Sequence, residues 1–260
     1  MNRCLKLTHV FIILAQFALP ERLMDAIIFA AGRGERLRPL TDSCPKPLIE
    51  IAGLSLIEIH LYRLASAGFS RVIINLHHLG QLISEKLGDG SRYGLKIIYS
   101  NEPGAALETA GGIVHALPHI QSRFFAAISA DVLCDFDFKL LKQMEKSQRN
   151  GTLLMVGNPI HHPKGDFALE TTNRLIPASP EKPSYTFSGI ACFQRALFEP
   201  LAAGKRALRP ILDAQIQSRA LYAQFYSGLW SDIGSIERLE QARQSSAVGR
   251  YIASIRQSIS

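Results

Sequence analysis

A glycine-rich segment that holds three arginines follows the first strand-like apolar run of the sequence. Gly32 and Gly34 open the segment, and Arg33, Arg36 and Arg38 lie among or just after them. Glycine lets the backbone approach an oxyanion closely, and arginine supplies forked, permanently charged donors. The segment fits neither the G-x-G-x-x-G pattern nor a Walker A loop. It therefore predicts another kind of phosphate-binding loop, with a solvated basic turn as the alternative.

A lysine follows this segment between two prolines. Pro45 and Pro47 restrict the backbone on either side of Lys46. Rigid presentation suits a point charge directed at a phosphate. By itself, a Pro-Lys-Pro sequence is equally typical of an exposed turn, so the phosphate interpretation depends on the preceding arginine-rich segment.

One aspartate is placed to bind a metal ion. Asp131 follows the apolar run 124–129, and a parallel strand there would deliver its carboxylate to the edge of the sheet where ligands bind. Mg²⁺ prefers hard oxygen ligands and often takes one or two carboxylates, with water and phosphate completing the octahedron. Asp135 and Asp137 lie nearby and are better interpreted as turn and helix-capping residues.

Two pairs of adjacent histidines, at 77–78 and 161–162, are not interpreted as metal ligands. Neighbouring residues on a strand point to opposite faces, so a pair cannot easily chelate one ion. We assign these histidines to structure or to substrate contact.

Apolar runs alternate with helical patterns in the first part of the chain. Short runs rich in β-branched or aromatic residues predict buried strands at 27–31, 72–75, 95–99, 124–129 and 152–156. The clearest helix follows residue 54 and ends at Gly68, and weaker helices are predicted at 79–87 and 109–117. This order predicts an α/β fold with a Rossmann-like, mostly parallel central sheet flanked by helices.

Polar turns and prolines replace this rhythm after about residue 157. Short strands are predicted at 166–170 and 185–193, which would form a smaller substrate or lid lobe. Helical patterns return at 206–219 and 235–255. Because no low-complexity linker interrupts the chain, we expect one continuous domain with two lobes.

Composition argues against a disordered chain and against a polytopic membrane protein. The chain has 260 residues, of which 47% are hydrophobic and 20% charged, close to ordinary globular usage. Its net charge of +7 includes no basic run with interleaved aromatic residues, so we expect phosphorylated small molecules as ligands, with no nucleic acid and no membrane partner. Four widely spaced cysteines suggest neither a disulfide framework nor a zinc site, and a cytoplasmic location is expected.

The first 23 residues are interpreted separately. Basic residues precede a short apolar stretch there, as in a secretory signal, but no A-x-A-like cleavage site follows. The stretch is too short to span a bilayer. We therefore expect 1–23 to be a non-native extension from a start codon assigned too early, with the domain beginning at Met24.

The motifs together resemble the signature of the sugar-1-phosphate nucleotidyltransferases, also called nucleoside-diphosphate-sugar pyrophosphorylases. The resemblance rests on A-A-G-R-G-E-R-L-R-P-L-T at 30–41, followed by P-K-P-L at 45–48. Within the family the match is closest to uridylyltransferases that act on N-acetylmuramate 1-phosphate in peptidoglycan recycling. That closer match depends on the segments 74–80, 88–95, 107–112, 161–167, 186–190 and 230–235.

The resemblance implies a Mg²⁺-dependent reaction between a nucleoside triphosphate and a sugar 1-phosphate, with release of pyrophosphate. It implies a single domain at 24–260, with a nucleotide-binding half at about 24–156, a sugar-binding half at about 157–234 and a C-terminal helix at 235–260. Catalytic roles fall on Arg36, Lys46 and Asp131. The implied nucleotide-binding residues are Ala31, Gly32, Gly34, Arg36, Lys46, Thr109 and Gly112.

The resemblance also implies the remaining ligands. Asp232 matches the family's second metal ligand and joins Asp131, while Asn75, Lys182 and Gly189 match the side that binds the sugar phosphate. Thr109 is compatible with a second role as a helix cap. The chain departs from the family at Ser129-Ala130, where Asn-Gly is usual, and this leaves the geometry of that loop open.

Four functions remain in competition at this stage. The leading expectation is a uridylyltransferase that joins UTP and N-acetylmuramate 1-phosphate. Alternatives are a mannose-1-phosphate guanylyltransferase or a hexose-1-phosphate thymidylyltransferase, because a few pocket contacts decide the choice of base and sugar. The Ser129-Ala130 departure adds a third alternative, a non-catalytic protein that binds nucleotide sugars.

Overall fold

Among the described residues, the apolar runs form strands of one nine-stranded sheet, and two separate two-stranded ribbons accompany it. The computed structural model describes residues 24–144 and 149–259, so the proposed extension at 1–23 lies outside the described residues. The strands are β1 (Asp25–Phe29), β2 (Glu50–Ile51), β3 (Leu54–Ser55), β4 (Arg71–Leu76), β5 (Lys96–Asn101), β6 (Phe124–Ser129), β7 (Val132–Cys134), β8 (Gly151–Val156), β9 (Phe167–Leu169), β10 (Leu175–Pro177), β11 (Ser184–Gln194), β12 (Leu221–Phe225) and β13 (Trp230–Asp232). The helices are α1 (Leu56–Ser66), α2 (Gly80–Leu87), α3 (Glu108–Ala116), α4 (Lys139–Gln143), α5 (Arg209–Gln217), α6 (Ile236–Gln244) and α7 (Ser246–Gln257).

The central sheet is mixed but mostly parallel in the part formed by the first half of the chain. Strands β5, β4, β1 and β6 lie side by side and run parallel. Strand β11 runs antiparallel between β6 and β8, and β12 pairs with β8. All five predicted buried strands are present, which confirms the α/β prediction. Strand β11, predicted at 185–193, belongs to the proposed sugar-binding half and pairs with β6 and β8 of the proposed nucleotide-binding half. Strands from both proposed halves therefore lie in one sheet.

Burial on both faces explains why the strands read as continuous apolar runs. In β1, Ala26 and Ile28 pack into a core cluster with α1. Ile27, between them, packs on the opposite face with residues of α3 and α5. Each face of the sheet is thus covered by helices, as expected for parallel strands.

Helix α1 begins and ends with signals that the sequence contains. Ser55 precedes it, and the Ser55 backbone N–H donates to Glu58 Oε2 at 3.2 Å in a capping box. Gly68 follows the helix with a φ of +75°, a conformation that favours glycine. The predicted apolar face, which includes Ile57 and Leu61, is buried.

The C-terminal segment is two helices, so the prediction of one C-terminal helix is wrong. Ser245 interrupts it with an extended backbone, and its side chain accepts from Val248 N–H to cap α7. Both helices pack on a third core cluster, whose buried members include Leu37, Leu133, Ile233, Leu239 and Ile252. In the described ranges no helix is long and apolar enough to cross a membrane.

Candidate active site

The glycine-rich segment forms a tight loop at the carboxyl end of β1. Gly34 has a φ of +71°, and its carbonyl accepts hydrogen bonds from Leu37 N–H and Thr41 Oγ1, both at 2.9 Å. No atom lies within 4 Å of the position that a Cβ at Gly32 would occupy. The loop is therefore held by Gly34 and leaves open space at Gly32, as a phosphate cradle requires.

The three arginines of the loop divide into two roles. Arg33 pairs with Glu35 at 3.3 Å, and Arg38 pairs with Asp42 at 2.8 Å, both at the surface. Arg36 has no carboxylate partner among the described residues and lines a cavity together with Asp131. Of the three, Arg36 is thus placed to meet an anionic ligand, in agreement with its predicted position.

Lys46 lies against the predicted metal ligand. Its Nζ donates to Asp131 Oδ2, and its side chain is mostly buried. Pro45 is extended and Pro47 lies in the short helical turn that holds the lysine. Rigid presentation of this cation, predicted from the two prolines, is therefore what the loop achieves.

A two-stranded ribbon brings the second aspartate to the first. Strands β7 and β13 pair antiparallel, so Asp232 lies opposite Val132, and Ile233 N–H donates to Asp131 O at 2.8 Å. Asp131 and Asp232 line the same cavity although about 100 residues separate them in sequence. The fold thus brings together the two carboxylates that the sequence assigned to one metal site.

Two side chains that were not predicted as partners of Asp232 lie beside it. Arg238 Nη1 lies 3.1 Å from Asp232 Oδ2, and the arginine side chain is 12% exposed. His161 Nε2 lies 3.1 Å from Asp232 Oδ1, a distance consistent with an ion pair when the ring is protonated. The two groups are not aligned for a hydrogen bond, so Asp232 Oδ1 is buried without a donor among the described residues.

Three adjoining cavities surround these groups. The loop cavity, of about 410 Å³, contains the glycine-rich loop and Lys46; the carboxylate cavity, of about 380 Å³, contains Asp232; the side cavity, of about 450 Å³, extends towards α5. Ser129 lines all three, and Asp131 lines the first two. They form one cleft centred on the end of β6. The predicted site residues in the loop cavity are Ala31, Gly32, Gly34, Lys46, Asn75, Thr109 and Asp131.

Asn75 and Gly112 belong to a buried network beside the loop cavity. Asn75 Oδ1 accepts from Ala30 N–H at 2.8 Å, and its amide nitrogen donates to Glu102 Oε1 at 2.6 Å. A Cβ at Gly112 would lie 2.8 Å from both Asn75 Nδ2 and Glu102 Oε1. Gly112 therefore makes room for this pair, and Asn75 lies with the residues assigned to the nucleotide. Its predicted contact with the sugar phosphate stays a prediction.

Glu102 is a cavity residue that the sequence analysis missed. It is buried, and its second oxygen accepts from Leu107 N–H at 2.7 Å. No local motif marks this glutamate, because its partners come from β4 and from the turn before α3. It fixes the backbone at Leu107, just before the predicted nucleotide-binding residue Thr109.

Thr109 lines the loop cavity, but its predicted capping role is wrong. Helix α3 begins at Glu108, and Leu107 precedes it without any side-chain cap. The backbone at 204–206 serves this helix end instead, since Arg206 O accepts from Ala110 N–H and Gly111 N–H, both at 3.1 Å. The Thr109 side chain is therefore left for the cavity.

The two remaining sugar-side predictions differ in position. Gly189 has a φ of +82° at an irregularity in β11 and lines both the carboxylate cavity and the side cavity. Lys182 is exposed in the turn before β11 and lines none of the three cavities. The fold brings Gly189 to the cleft and leaves Lys182 outside it.

A buried imidazole lies near Asp131. His60 on α1 is fully buried and stacks on Phe138 with 6.1 Å between ring centroids. Burial, with a smaller contribution from the Arg63 cation, lowers the pKa of His60 to about 3. The ring is therefore neutral at physiological pH and adds no charge beneath the cleft.

The cleft combines three cationic side chains with two partly buried carboxylates. Arg36, Lys46 and Arg238 would neutralise a polyanion, while Asp131 and Asp232 offer the hard oxygens that a divalent cation prefers. Within the described ranges no group of three or more His, Cys, Asp or Glu side chains could hold a metal ion. A cation bound here would thus draw further ligands from water or phosphate.

Comparison with known proteins agrees with this arrangement. The profile described as "Nucleotidyl transferase" matches residues 25–247. The N-acetylmuramate alpha-1-phosphate uridylyltransferase of Neisseria meningitidis is 43% identical over 224 residues, an alignment that covers 85% of this chain and 97% of that protein. Mannose-1-phosphate guanyltransferase beta-A of Xenopus laevis is 30% identical over 221 residues, covering 81% of this chain and 61% of the longer relative.

Solved structures share the fold at lower sequence identity. A putative glucose-1-phosphate thymidylyltransferase from Bacillus anthracis superposes with a TM-score of 0.74 at 21% identity, covering 87% of this chain and 95% of that one. The inositol-1-phosphate CTP transferase from T. maritima gives a TM-score of 0.73 at 18% identity, covering 92% and 98%. At such identities the likeness concerns the fold alone.

Proposed function

Because the chain belongs to the nucleotidyl transferase family, we propose that it joins UTP and N-acetylmuramate 1-phosphate to give UDP-N-acetylmuramate and pyrophosphate. The observation that carries the proposal is the cleft in which Arg36, Lys46 and the two aspartates meet. The 43% identity to the Neisseria uridylyltransferase supports the choice of substrates. Such a reaction belongs to peptidoglycan recycling in the cytoplasm.

The reaction is an in-line displacement between two anions. An oxygen of the sugar phosphate attacks the α-phosphorus of UTP, a new P–O bond forms, and the bond to the β-phosphate oxygen breaks to release pyrophosphate. Little covalent work falls to the protein, so positioning and charge neutralisation supply most of the catalysis. Lys46 and Arg36 would neutralise the phosphates, and the open backbone at Gly32 would let them approach.

The two aspartates suit Mg²⁺ as a cofactor. Asp232 Oδ1 is buried without a hydrogen-bond donor among the described residues, which is consistent with an oxygen kept for a cation. Asp131 meets Lys46 through Oδ2, and no hydrogen bond to its Oδ1 is made by the described residues. When bound, Mg²⁺ would stabilise the charge that develops on the phosphates. Arg238 would hold the Asp232 carboxylate in place from the other side.

The distribution of residues supports a division of the cleft. We assign the base and ribose to the loop cavity, beside Thr109, and the sugar to the carboxylate and side cavities on either side of Gly189. Both phosphates would then meet between these regions, at Asp131. Lys182 lines none of the three cavities, and its predicted contact with the sugar phosphate stays a prediction.

Pyrophosphate release by the purified chain tests the proposal. UTP, GTP and dTTP are crossed with the 1-phosphates of N-acetylmuramate, N-acetylglucosamine, mannose and glucose, with and without Mg²⁺. Release with UTP and the muramate substrate is the expected result. Preference for GTP and mannose 1-phosphate would favour the second candidate, a guanylyltransferase, which the 30% identical relatives support. Nucleotide binding without any release would favour the non-catalytic alternative.

A further inference from the structure

The side cavity contains an arginine that the proposed chemistry does not use. Arg209, the first residue of α5, lines this cavity with Phe167 and Phe187. Its guanidinium carbon lies 4.5 Å from the centre of the Phe167 ring, and its Nε donates to Asp213 Oδ1 at 2.8 Å. Ring contact and ion pair together hold the guanidinium in one orientation.

The terminal nitrogens of Arg209 are left for a ligand. The nearest oxygen of a second carboxylate, Asp166 Oδ1, lies 3.9 Å from Nη1, which exceeds hydrogen-bond distance. In the described part of the chain neither terminal nitrogen donates a hydrogen bond. A guanidinium that is fixed through Nε and open at its terminal nitrogens matches the two oxygens of a carboxylate.

The other charges of the side cavity have partners of their own. Asp166 Oδ2 accepts from Phe187 N–H at 2.8 Å, and Asp166 Oδ1 lies 3.3 Å from His162 Nε2. Glu108 pairs with Lys205 at 3.4 Å. Among the described residues that line this cavity, Arg209 is the one cation. An acidic group of the ligand in the side cavity would therefore be drawn to it.

One of the candidate sugars carries such an acidic group. N-acetylmuramate bears a carboxylate on its lactyl ether, next to the N-acetyl group, whereas glucose, mannose and N-acetylglucosamine have no acid besides the phosphate. The side cavity shares Ser129 and Gly189 with the carboxylate cavity. A sugar whose phosphate lies at Asp131 and Asp232 can thus extend past Gly189 into the side cavity. The apolar walls there, at Phe187 and elsewhere, suit the acetyl and lactyl methyl groups.

We infer that Arg209 is a specificity-determining residue that binds the lactyl carboxylate of the sugar phosphate through its two terminal nitrogens. This inference rests on the proposed function. It explains how an enzyme of this fold distinguishes the muramate sugar from N-acetylglucosamine, which differs from it by the lactyl group alone. The contact is half exposed, since 54% of the Arg209 side chain is accessible, so the discrimination should be moderate.

The substitution Arg209→Gln tests the inference through a ratio of substrates. We expect kcat/KM for N-acetylmuramate 1-phosphate to fall by about 10- to 100-fold, the range for a lost hydrogen bond to a charged group. With N-acetylglucosamine 1-phosphate, kcat/KM should change by less than about twofold, because this sugar has no carboxylate for Arg209 to bind. Arg195→Gln is the matched control, since Arg195 forms a similar i,i+4 ion pair with Glu199 at 2.7 Å and lies outside the side cavity.

A substrate variant makes the test independent of N-acetylglucosamine turnover. For the parent chain, converting the lactyl carboxylate to its amide should lower kcat/KM by about the same factor as Arg209→Gln does. For the Arg209→Gln variant, the same conversion should lower kcat/KM little further. Equal use of acid and amide by the parent chain would overturn the inference, and so would equal losses by Arg209→Gln on both sugars. A parent chain inactive on the muramate substrate would instead refute the proposed function, and the role of Arg209 with it.

Discussion

At the scale of single residues, Asp131 is where two requirements of the chemistry meet. Its Oδ2 accepts from Lys46, and the residue lines the cavity that Asp232 also lines. The lysine therefore orients the carboxylate, and in the proposed reaction it would also neutralise phosphate charge. Since the side chain sits at the end of β6 and not in the core, its charge can be removed without disturbing the packing of the sheet.

The substitution Asp131→Asn should abolish most of the turnover and leave the fold intact. The amide keeps an oxygen for Lys46 but loses the charge that a divalent cation needs, so kcat should fall by at least about 10²- to 10³-fold. Tm should move by no more than about 3 °C. Asp137→Asn is the control, because Asp137 is exposed and accepts from Lys139 N–H outside the cleft. Near-normal turnover by Asp131→Asn would reject the assigned metal site.

His60 makes a prediction about stability and pH. Its pKa is about 3 in the folded chain because the ring is buried, and about 6.5 in an unfolded chain. As the pH falls below about 6.5, the unfolded chain takes up a proton that the folded chain refuses until about pH 3, so stability is lost over this window. Between pH 7 and pH 5 this residue should remove about 2 kcal/mol from the free energy of unfolding.

Urea unfolding at pH 7 and pH 5 measures this contribution. His60→Asn should lose about 2 kcal/mol less than the parent chain between the two pH values. His115→Asn, at a partly exposed histidine whose Nε2 lies 2.8 Å from Asn101 O, is the matched control substitution. An unchanged pH dependence in His60→Asn would mean that the buried ring is not what titrates.

The residues found from sequence and those missed differ in how their neighbours are encoded. Gly34, Arg36 and Lys46 lie in continuous motifs, where the backbone requirement and the charge are written side by side. Glu102 acts through Asn75, which lies on β4, 27 residues earlier in the chain, and pairing register is not visible in one sequence. Arg238 is only six residues from Asp232, but their contact depends on the turn between β13 and α6, which no motif in the sequence specifies.

At the scale of elements, α3 lies close to β4 and the cleft because one of its residues is a glycine. Gly112 lies against Asn75 and Glu102, where a Cβ would come within 2.8 Å of both. The helix can therefore approach β4 closely enough for Thr109 to line the loop cavity. The glycine was predicted as a nucleotide-binding residue, and the structure places it behind the residues that line the cavity.

Two alanine substitutions in helices separate this contact from helix propensity. Gly112→Ala should destabilise the chain by about 1–3 kcal/mol through overpacking and should raise KM for UTP. Gly249→Ala in α7, where no atom lies within 4 Å of the added Cβ, should stabilise it by about 0.5–1 kcal/mol. Urea unfolding measures the two stability changes, and steady-state kinetics measure KM for UTP. A Gly112→Ala chain as stable and active as the parent would show that the Asn75–Glu102 pair can yield.

At the scale of the whole molecule, the third core cluster connects the C-terminal helices to the chemistry. Leu37 and Ile233 belong to it, and they directly follow Arg36 and Asp232 in sequence. Ile252 on α7 is fully buried in the same cluster. The two C-terminal helices thus support the cationic loop and the β7–β13 ribbon from below.

Truncating one side chain of α7 should therefore affect both stability and substrate binding. Ile252→Ala should cost about 2–5 kcal/mol of unfolding free energy and raise KM for the nucleoside triphosphate at temperatures below Tm. Ile236→Ala on α6, at an exposed isoleucine, should cost less than about 0.5 kcal/mol. Calorimetry and steady-state kinetics make the comparison. An unchanged KM in Ile252→Ala would mean that the helices stabilise the fold without positioning the site.

The architecture was more accessible to prediction than its connections. Apolar runs such as 124–129 predict buried strands because both faces of the sheet are covered, and this holds for all five predicted strands. The place of β11 between β6 and β8 was not predicted, since its alternating first half is typical of a strand at the edge of a lobe. Likewise, Ser245 gives little sign in the sequence that it divides the C-terminal helix.

The β7–β13 ribbon has a consequence for how the protein is made. Synthesis proceeds from the N-terminus, and the second carboxylate, at Asp232, emerges long after the arginine loop and Asp131. A nascent chain whose β13 is still inside the ribosome would hold Arg36, Lys46 and Asp131 without Asp232 or its partner Arg238. We therefore expect the charged groups of the cleft to be complete only late in translation, when β7 and β13 pair.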